Sequence, residues 1–210
     1  MDNSKSLFID EVNKIKSDDL RECALELVEE IPAYFWTVPA SSSGKYHPEC
    51  DLGEGGLVRH SIMVATVAED LVRAEMFVRE CPVNYDIARF TALFHDSYKS
   101  GLVAEDGTYS DHTVFDHPRI ASDIIREKLT AKNIDPLKIE MICGAIYTHM
   151  GKWCVDTYGE RNGNAKKALS KPRTDFEKLI HIADYMASRK YIAGLEAWKG
   201  MKNGMLPLEF

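Results

Sequence analysis

The segment FHDSYKSG at residues 94–101 places a histidine and an aspartate directly after an apolar, helix-like run. Both His95 and Asp96 are ionisable, and Lys99 follows His95 by about one helical turn. Two such groups at the end of a hydrophobic helix need partners, because a buried charge without a partner is strongly destabilising. Neighbouring helical residues point about 100° apart, so the two side chains cannot share one direction. Near a helix end, however, they can straddle one site. A carboxylate with two oxygens can then bridge two metal ions.

Three further ionisable residues continue apolar helix faces. They are His60, His149 and Asp184, in the predicted helices 56–79, 135–149 and 174–194. Alone, an inward histidine is more often a hydrogen-bonded core residue than a ligand, and an inward aspartate can cap a helix or pair with Arg59 or Arg189. Together with His95 and Asp96 they come from four helices, and a shared cation would satisfy them all. Three or more imidazoles among oxygen ligands suit Mn, Fe, Co, Ni or Zn better than Mg or Ca.

The hydrophobic periodicity of the chain is almost entirely helical. The predicted helices are 5–16, 18–30, 56–79, 84–96, 118–131, 135–149 and 174–194. Strand-like alternation is nearly absent, so we expect an all-α fold. Three long loops are predicted at 37–55, 97–116 and 150–173, and each begins or ends near a candidate histidine. Loops of this length in a compact domain are often functional.

Composition limits the classes of partner. The 210 residues fit one domain. A net charge of −7, from 26 basic and 33 acidic residues, disfavours long nucleic acid but is compatible with a small phosphorylated substrate held by a few local cations. No apolar run approaches the roughly 20 residues of a membrane helix, and the N-terminal MDNSKSLFIDEVNK lacks a signal-peptide core, so we expect a cytoplasmic protein. The oligomeric state is left open.

The five cysteines do not form a recognisable framework. They are scattered, odd in number and never arranged as CxxC. This pattern argues against both a set of disulfides and a thiolate zinc site. Any metal centre in this chain is therefore expected to use histidine and carboxylate ligands.

Five segments together resemble the HD-domain metal-dependent phosphohydrolases. They are GGLVRHS (55–61), FHDSYKSG (94–101), DHPRIASDII (116–125), AIYTHMGKW (145–153) and EKLIHIADYMASRK (177–190). The resemblance covers about residues 50–195 and rests on the ordered set H…HD…H…H…D with an HDxxKxG frame. It implies an HD-domain helical bundle with an N-terminal helical extension and long active-site loops. The expected divisions are an extension at 1–50, a metal-binding phosphohydrolase core at 51–195 and a C-terminal tail at 196–210.

The resemblance also implies a metal-ligand set. One divalent transition metal would be held by His60, His95, Asp96 and Asp184. In the binuclear branch of the family, Asp96 would bridge to a second metal held by His117 and His149. His112, five residues before His117, is the alternative ligand in that loop. The resemblance therefore implies one or two ions of Mn, Fe, Co, Ni or Zn.

The activity implied by the resemblance is hydrolysis of a phosphoester or phosphoanhydride bond by metal-activated water. The substrate would be a nucleotide or a related small phosphorylated molecule. Asp96 or Asp184 would orient the water or accept its proton, and Lys99 would neutralise a substrate phosphate. Two alternatives stay open: an HD-type di-iron oxygenase, which uses the same kind of ligand set, and a catalytically silent nucleotide-binding regulator.

Four more residues are candidates for substrate binding, namely His47, Arg59, Lys171 and Arg173. His47 could instead be a surface-loop histidine, and Arg59 could pair with a carboxylate. Lys171 and Arg173 belong to the basic segment GERNGNAKKALSKPR (159–173), which could be a lid over polyphosphate or a solvated charge run.

Overall fold

The structure, a computed structural model, describes residues 3–41, 44–76, 85–163 and 167–189. Within these ranges the chain forms eight α-helices: α1 (Asn3–Val12), α2 (Asp18–Glu30), α3 (Gly56–Arg73), α4 (Tyr85–Phe94), α5 (His117–Ala131), α6 (Pro136–Thr148), α7 (Thr157–Arg161) and α8 (Asp175–Ala187). Three short 3-10 helices cover Ala33–Trp36, Glu49–Asp51 and Gly151–Trp153. The described residues contain no β-strand, only an isolated bridge between Val155 and Ala168. The predicted all-α fold is therefore confirmed.

The helix predicted at 84–96 ends earlier than its pattern indicates. In the structure, α4 ends at Phe94, and the next residues form a tight turn. The Ser97 amide donates to the Phe94 carbonyl at 3.2 Å, a bond between residues three apart. This turn removes His95 and Asp96 from the regular helix and directs both side chains into the interior, where they are buried.

Two other predicted helices extend beyond the observed ones. The helix predicted at 56–79 ends at Arg73, and the helix predicted at 174–194 ends at Ala187. Parts of these predictions lie outside the described residues, namely 77–79, 190–194 and the whole of the predicted tail 196–210.

Four helices, α3, α4, α6 and α8, pack against one another at the centre of the bundle, and α5 packs on α6. Every residue of α4 from Ile87 to Phe94 is buried. On α3, the buried face includes Leu57, Val64 and Ala68, which recur at helical spacing. Burial of these apolar faces supplies the main driving force for packing. No helix in the described part of the chain is long and apolar enough to cross a membrane.

The helices α1 and α2 pack against this bundle and support the end of α4. Phe8 of α1 contacts Phe35, Trp36 and Phe94 edge to face, with ring centroids 5.5 Å apart in each pair. This arrangement is a favoured geometry for aromatic rings. Because Phe94 immediately precedes His95, the aromatic cluster helps to hold the turn that follows α4. The domain boundary near residue 50 stays a prediction.

Candidate metal centre

Six side chains predicted as metal ligands converge on one site in the bundle. They come from α3, the turn after α4, the first residue of α5, the residue after α6, and α8, and they are His60, His95, Asp96, His117, His149 and Asp184. Five of them are buried, and the Asp184 side chain keeps 23% of its surface exposed. The structure thus brings the whole predicted set together, and their role as ligands stays a prediction.

The first group of potential ligands combines α3, α8 and the turn after α4. The His60 Nε2 atom lies 3.1 Å from Asp184 Oδ1, and His95 Nε2 lies 3.8 Å from the same oxygen. One ligand atom from each of the three residues lies within 4.8 Å of the others. Atoms at these separations can surround one transition-metal ion, whose bonds to nitrogen and oxygen are about 2.0–2.2 Å long.

The second group surrounds the Asp96 carboxylate. One ligand atom each from His95, Asp96 and His149 lies within 4.8 Å of the others. His117 joins this group, since its Nε2 atom lies 3.0 Å from Asp96 Oδ1 and 3.2 Å from His149 Nε2. His149 Nε2 lies 3.5 Å from Asp96 Oδ1. Asp96 Oδ2 is also 3.5 Å from His95 Nε2, so this carboxylate lies beside the histidine that the two groups share.

Three of the histidines have their tautomer set by the backbone. The Nδ1 atoms of His95, His117 and His149 each lie 2.6–2.7 Å from the carbonyl oxygen three residues earlier. A carbonyl oxygen only accepts hydrogen bonds, so each Nδ1 carries the proton and donates. In a neutral imidazole the Nε2 atom then has a lone pair. Three such atoms are directed toward the two carboxylates, which is the arrangement that a metal requires of histidine ligands.

Two atoms at the centre of the cluster are buried without a hydrogen-bond partner among the described residues. They are His95 Nε2 and Asp96 Oδ1. Buried polar atoms in proteins nearly always have a partner, so such atoms need an explanation. A divalent cation would satisfy both, and a mixed set of imidazole and carboxylate ligands suits a transition metal. The side chains therefore fit one or more such ions.

The carboxylates of the cluster are held in their charged form. Burial acts to raise the pKa of Asp96, but the Lys99 ammonium, 2.5 Å from Asp96 Oδ2, and the nearby His95 imidazole hold this pKa well below its usual range. Burial likewise acts to raise the pKa of Asp184, and the hydrogen bond with His60 together with neighbouring imidazoles lowers it strongly. At neutral pH the site therefore presents two negative carboxylates.

The histidines of the first group differ in charge. Burial lowers the pKa of His95 to about 4, so its imidazole is neutral at pH 7. Burial also acts to lower the pKa of His60, but the hydrogen bond with Asp184 and the nearby Asp51 carboxylate outweigh burial and raise this pKa to about 9. Metal binding at His60 must therefore displace a proton, since a metal ligand has to be deprotonated.

Asp51 is a functional candidate that the sequence reasoning missed. This buried residue places Oδ2 3.5 Å from His60 Nδ1 and 3.5 Å from His47 Nδ1. Burial acts to raise the pKa of Asp51, but the nearby imidazoles of His47 and His60 lower it to about 2. The carboxylate therefore lies behind His60, on the side away from Asp184. Its only sequence signal is its position in the predicted loop 37–55, four residues after His47.

The loop that carries Asp51 is tied closely to the start of α3. A Cβ atom on Gly56 would lie 2.1 Å from the Asp51 carbonyl oxygen, so only glycine allows this approach. Arg59 donates from Nε to the Cys50 carbonyl and from Nη2 to the Leu52 carbonyl, the latter at 3.1 Å. The structure thus places Arg59 against the loop backbone, and its contact with a substrate phosphate stays a prediction.

A cavity of about 480 Å³ opens beside the cluster. His47 and Lys99, two of the substrate-binding candidates, contribute to its lining. The described residues that line this cavity do not include Arg59, Lys171 or Arg173. Lys171 and Arg173 are exposed on the surface. Their roles in substrate binding, like the lid itself, stay predictions.

The structure distinguishes the two histidines of the loop before α5. The His112 side chain is 75% exposed and lies beside Asp111, whereas His117 is buried in the cluster. In the basic segment, Lys167 pairs with Asp116 at 3.3 Å, one residue before His117. Lys166 lies outside the described residues.

Comparison with known proteins places this site in a family. The model of the HD domain matches residues 57–189, more than half of the chain and the region that holds all six candidate ligands. No curated protein and no solved structure matches the chain. HD domains bind divalent metals, and the His/Asp groups described above could hold one. A helical bundle with this site and this match belongs to the HD-domain family.

Proposed function

We propose that the protein is a metal-dependent phosphohydrolase that cleaves a phosphoester or phosphoanhydride bond in a nucleotide or a related small phosphorylated substrate. Family membership supports hydrolase chemistry that depends on a metal. The observation that carries the proposal is the convergence of the Nε2 atoms of His95, His117 and His149 on the Asp96 carboxylate beside an open cavity.

The residues proposed to hold metal are the two groups around His95. One or two ions of Mn, Fe, Co, Ni or Zn bound there would lower the pKa of water and neutralise charge that develops on the phosphoryl oxygens. Asp51 would orient His60 from behind, as carboxylates often do for metal-bound imidazoles.

Two side chains of the cavity are proposed to act on water and substrate directly. Asp184 keeps 23% of its side chain exposed, whereas Asp96 keeps 3% and is paired with Lys99. Asp184 is therefore the better placed carboxylate to orient the attacking water. The Lys99 ammonium lines the cavity and would supply positive charge to a substrate phosphate.

The experiment that tests this function is product release, resolved by chromatography, from a panel of small phosphorylated molecules. The panel contains nucleoside mono-, di- and triphosphates, cyclic nucleotides and short oligonucleotides, with Mn²⁺, Co²⁺, Ni²⁺ or Fe²⁺ supplied. Asp96→Asn keeps the shape of the side chain and removes its charge, and His112→Ala changes an exposed residue outside the cluster. We expect turnover by the wild type and His112→Ala, and a loss of at least about 100-fold in Asp96→Asn.

Two results would contradict the proposal. Equal turnover by Asp96→Asn would place the chemistry elsewhere or show a contaminating enzyme. A folded, metal-loaded protein that hydrolyses no member of the panel would turn attention to the di-iron oxygenase or to the nucleotide-binding regulator. Oxygen consumption would indicate the oxygenase, and tight nucleotide binding without turnover would indicate the regulator.

A further inference from the structure

The cavity beside the candidate metal centre contains a second set of side chains that the proposed hydrolysis does not use. These are three aromatic residues and two cations, Tyr46, Lys152, Trp153, Tyr185 and Arg189. They share the cavity with Asp96, His117, His149 and Asp184. Its volume of about 480 Å³ falls in the range of small-molecule sites, roughly 300–1,000 Å³. A ligand with its phosphate at the metal centre would therefore meet this second set.

The backbone holds Trp153 at a fixed position relative to the metal centre. His181 Nδ1 lies 2.8 Å from the His149 carbonyl and donates to it. Gly151 follows with φ of +55°, and a Cβ atom there would lie 2.1 Å from the His181 ring. The turn after α6 thus packs directly on α8, and Trp153 ends the 3-10 helix that follows. Tyr185, whose ring lies beside that of Trp153, directly follows Asp184 in the sequence.

The aromatic rings and the cations form one layered cluster. The Trp153 and Tyr185 rings are nearly parallel, with an interplanar angle of 19° and centroids 5.8 Å apart. The Arg189 guanidinium lies 4.3 Å from the Tyr185 centroid and 4.9 Å from that of Tyr46. The Lys152 ammonium lies 4.7 Å from the Trp153 centroid. Even so, 42% of Trp153 is exposed, which leaves ring surface for a ligand.

The positive charges of the two cations in this cluster are not neutralised by ion pairs within the described residues. Neither Lys152 nor Arg189 pairs with a carboxylate in the part of the chain that the structure describes. The Arg189 Nε atom is buried and has no hydrogen-bond partner among those residues. Charge held against aromatic faces in this way suits a ligand that is both planar and anionic.

We propose that Trp153, Tyr185, Lys152 and Arg189 form a subsite for the base of a nucleotide, with the two cations acting on its phosphate charge. The proposal rests on the phosphohydrolase function in one respect. That function requires the scissile phosphate to lie at the metal centre, which sets the orientation of the substrate in the cavity. The base stacks on the Trp153–Tyr185 pair, and the two cations neutralise phosphate charge. Stacking uses the π-face that every base has, so the subsite tolerates different bases.

The test compares AMP with ribose 5-phosphate, which has the same sugar phosphate without the base. Both are measured on the full-length, Mn²⁺-loaded protein, for affinity by rapid mixing before turnover and for hydrolysis by phosphate release. We expect the wild type to bind AMP about tenfold more tightly, which corresponds to about 1.4 kcal/mol. Trp153→Leu reduces this preference to within about twofold.

Three further variants separate stacking from charge and from general damage. Trp153→Phe keeps an aromatic face and retains the preference for AMP. Arg189→Met weakens both probes by a similar factor, because it removes charge that acts on the phosphate of each. Tyr85→Leu truncates an aromatic residue of comparable exposure outside this cavity and changes neither affinity.

The outcomes for the subsite and for the proposed function are distinct. Equal affinity of the wild type for the two probes, no binding of AMP, or an undiminished preference in Trp153→Leu overturns the subsite. Affinities unchanged by Arg189→Met overturn its part in phosphate binding. A base preference that depends on Trp153, in a protein that hydrolyses neither probe nor any member of the phosphorylated panel, supports the subsite and contradicts the hydrolase. Hydrolysis of both probes with equal efficiency supports the hydrolase and contradicts the subsite.

Discussion

At the scale of single residues, the candidate metal centre depends on histidines that follow the ends of helices. His95 and His149 come directly after α4 and α6, and each donates its Nδ1 proton to a carbonyl in the last turn of that helix. The last four carbonyls of a helix lack the amide partners of its interior. One hydrogen bond therefore satisfies a carbonyl and leaves Nε2 with its lone pair directed to the site. His117 achieves the same tautomer through the Val114 carbonyl.

His60 is oriented by a carboxylate instead of a backbone carbonyl. Its Nε2 atom lies 3.1 Å from Asp184, and its Nδ1 atom faces the buried carboxylate of Asp51. Partners of this kind fix the orientation of a ligand imidazole and increase its basicity. Asp51 also lies beside His47, so one carboxylate organises two histidines of the cavity. Replacement of Asp51 should therefore weaken metal binding more than it lowers the stability of the fold.

We predict that Asp51→Asn weakens metal binding about 10–100-fold, the usual effect of losing such a partner. The asparagine keeps the shape but removes the charge that holds His60. Titration of the metal-free protein with Mn²⁺ or Zn²⁺, followed by calorimetry, measures the change. Asp111→Asn is the matched control, because Asp111 is exposed beside His112. A metal affinity equal to that of Asp111→Asn would show that Asp51 does not orient a ligand.

At the scale of elements, the contact between the turn after α6 and helix α8 depends on Gly151. Its φ of +55° lies in the left-handed region, and a Cβ atom would overlap the His181 ring at 2.1–2.5 Å. The start of α8 is fixed separately by a capping box between Thr174 and Glu177. Since α8 cannot easily move away, a side chain at residue 151 must displace either His181 or the turn.

We predict that Gly151→Ala lowers the free energy of unfolding by about 2–4 kcal/mol, a sum of backbone strain and overpacking. Gly107→Ala is a matched control, since Gly107 also has positive φ, +82°, but no described atom lies within 4 Å of the added Cβ. The control should lose only about 1 kcal/mol. Urea denaturation of both variants measures the difference. Equal losses would mean that the His181 contact adds nothing beyond the strain.

Helical periodicity predicts the helices and the interior faces well, because burial follows the same 3.6-residue repeat. It identified His60 and Asp184 as inward groups among apolar neighbours, and the structure brings both into the cluster. It does not predict where a helix ends in a turn, so it extended α4 through His95 and Asp96. It gives no signal for Asp51 either, since a loop residue has no periodic face, and the close approach of Gly56 to the Asp51 carbonyl is visible only in the fold.

At the scale of the whole molecule, the candidate ligands connect distant parts of the chain. His60 and Asp184 are 124 residues apart in sequence, and the remaining candidates come from the three elements between them. An unfolded chain cannot hold these atoms together. A cation would therefore bind the folded state far more tightly than the unfolded state. A ligand of this kind stabilises the folded state by mass action, in proportion to the logarithm of its excess over the dissociation constant.

We predict that divalent transition metal at about 100 times its dissociation constant stabilises the protein by about 2.7 kcal/mol. For a chain of this size the melting temperature should rise by about 5–10 °C. His95→Gln should abolish the rise, because His95 belongs to both groups of potential ligands. His112→Ala should keep it, because His112 is exposed and outside the cluster. Scanning calorimetry with Mn²⁺ or Zn²⁺, reversed by a chelator, measures both variants. A metal-induced rise that survives in His95→Gln would show that the ion stabilises the fold from some other place.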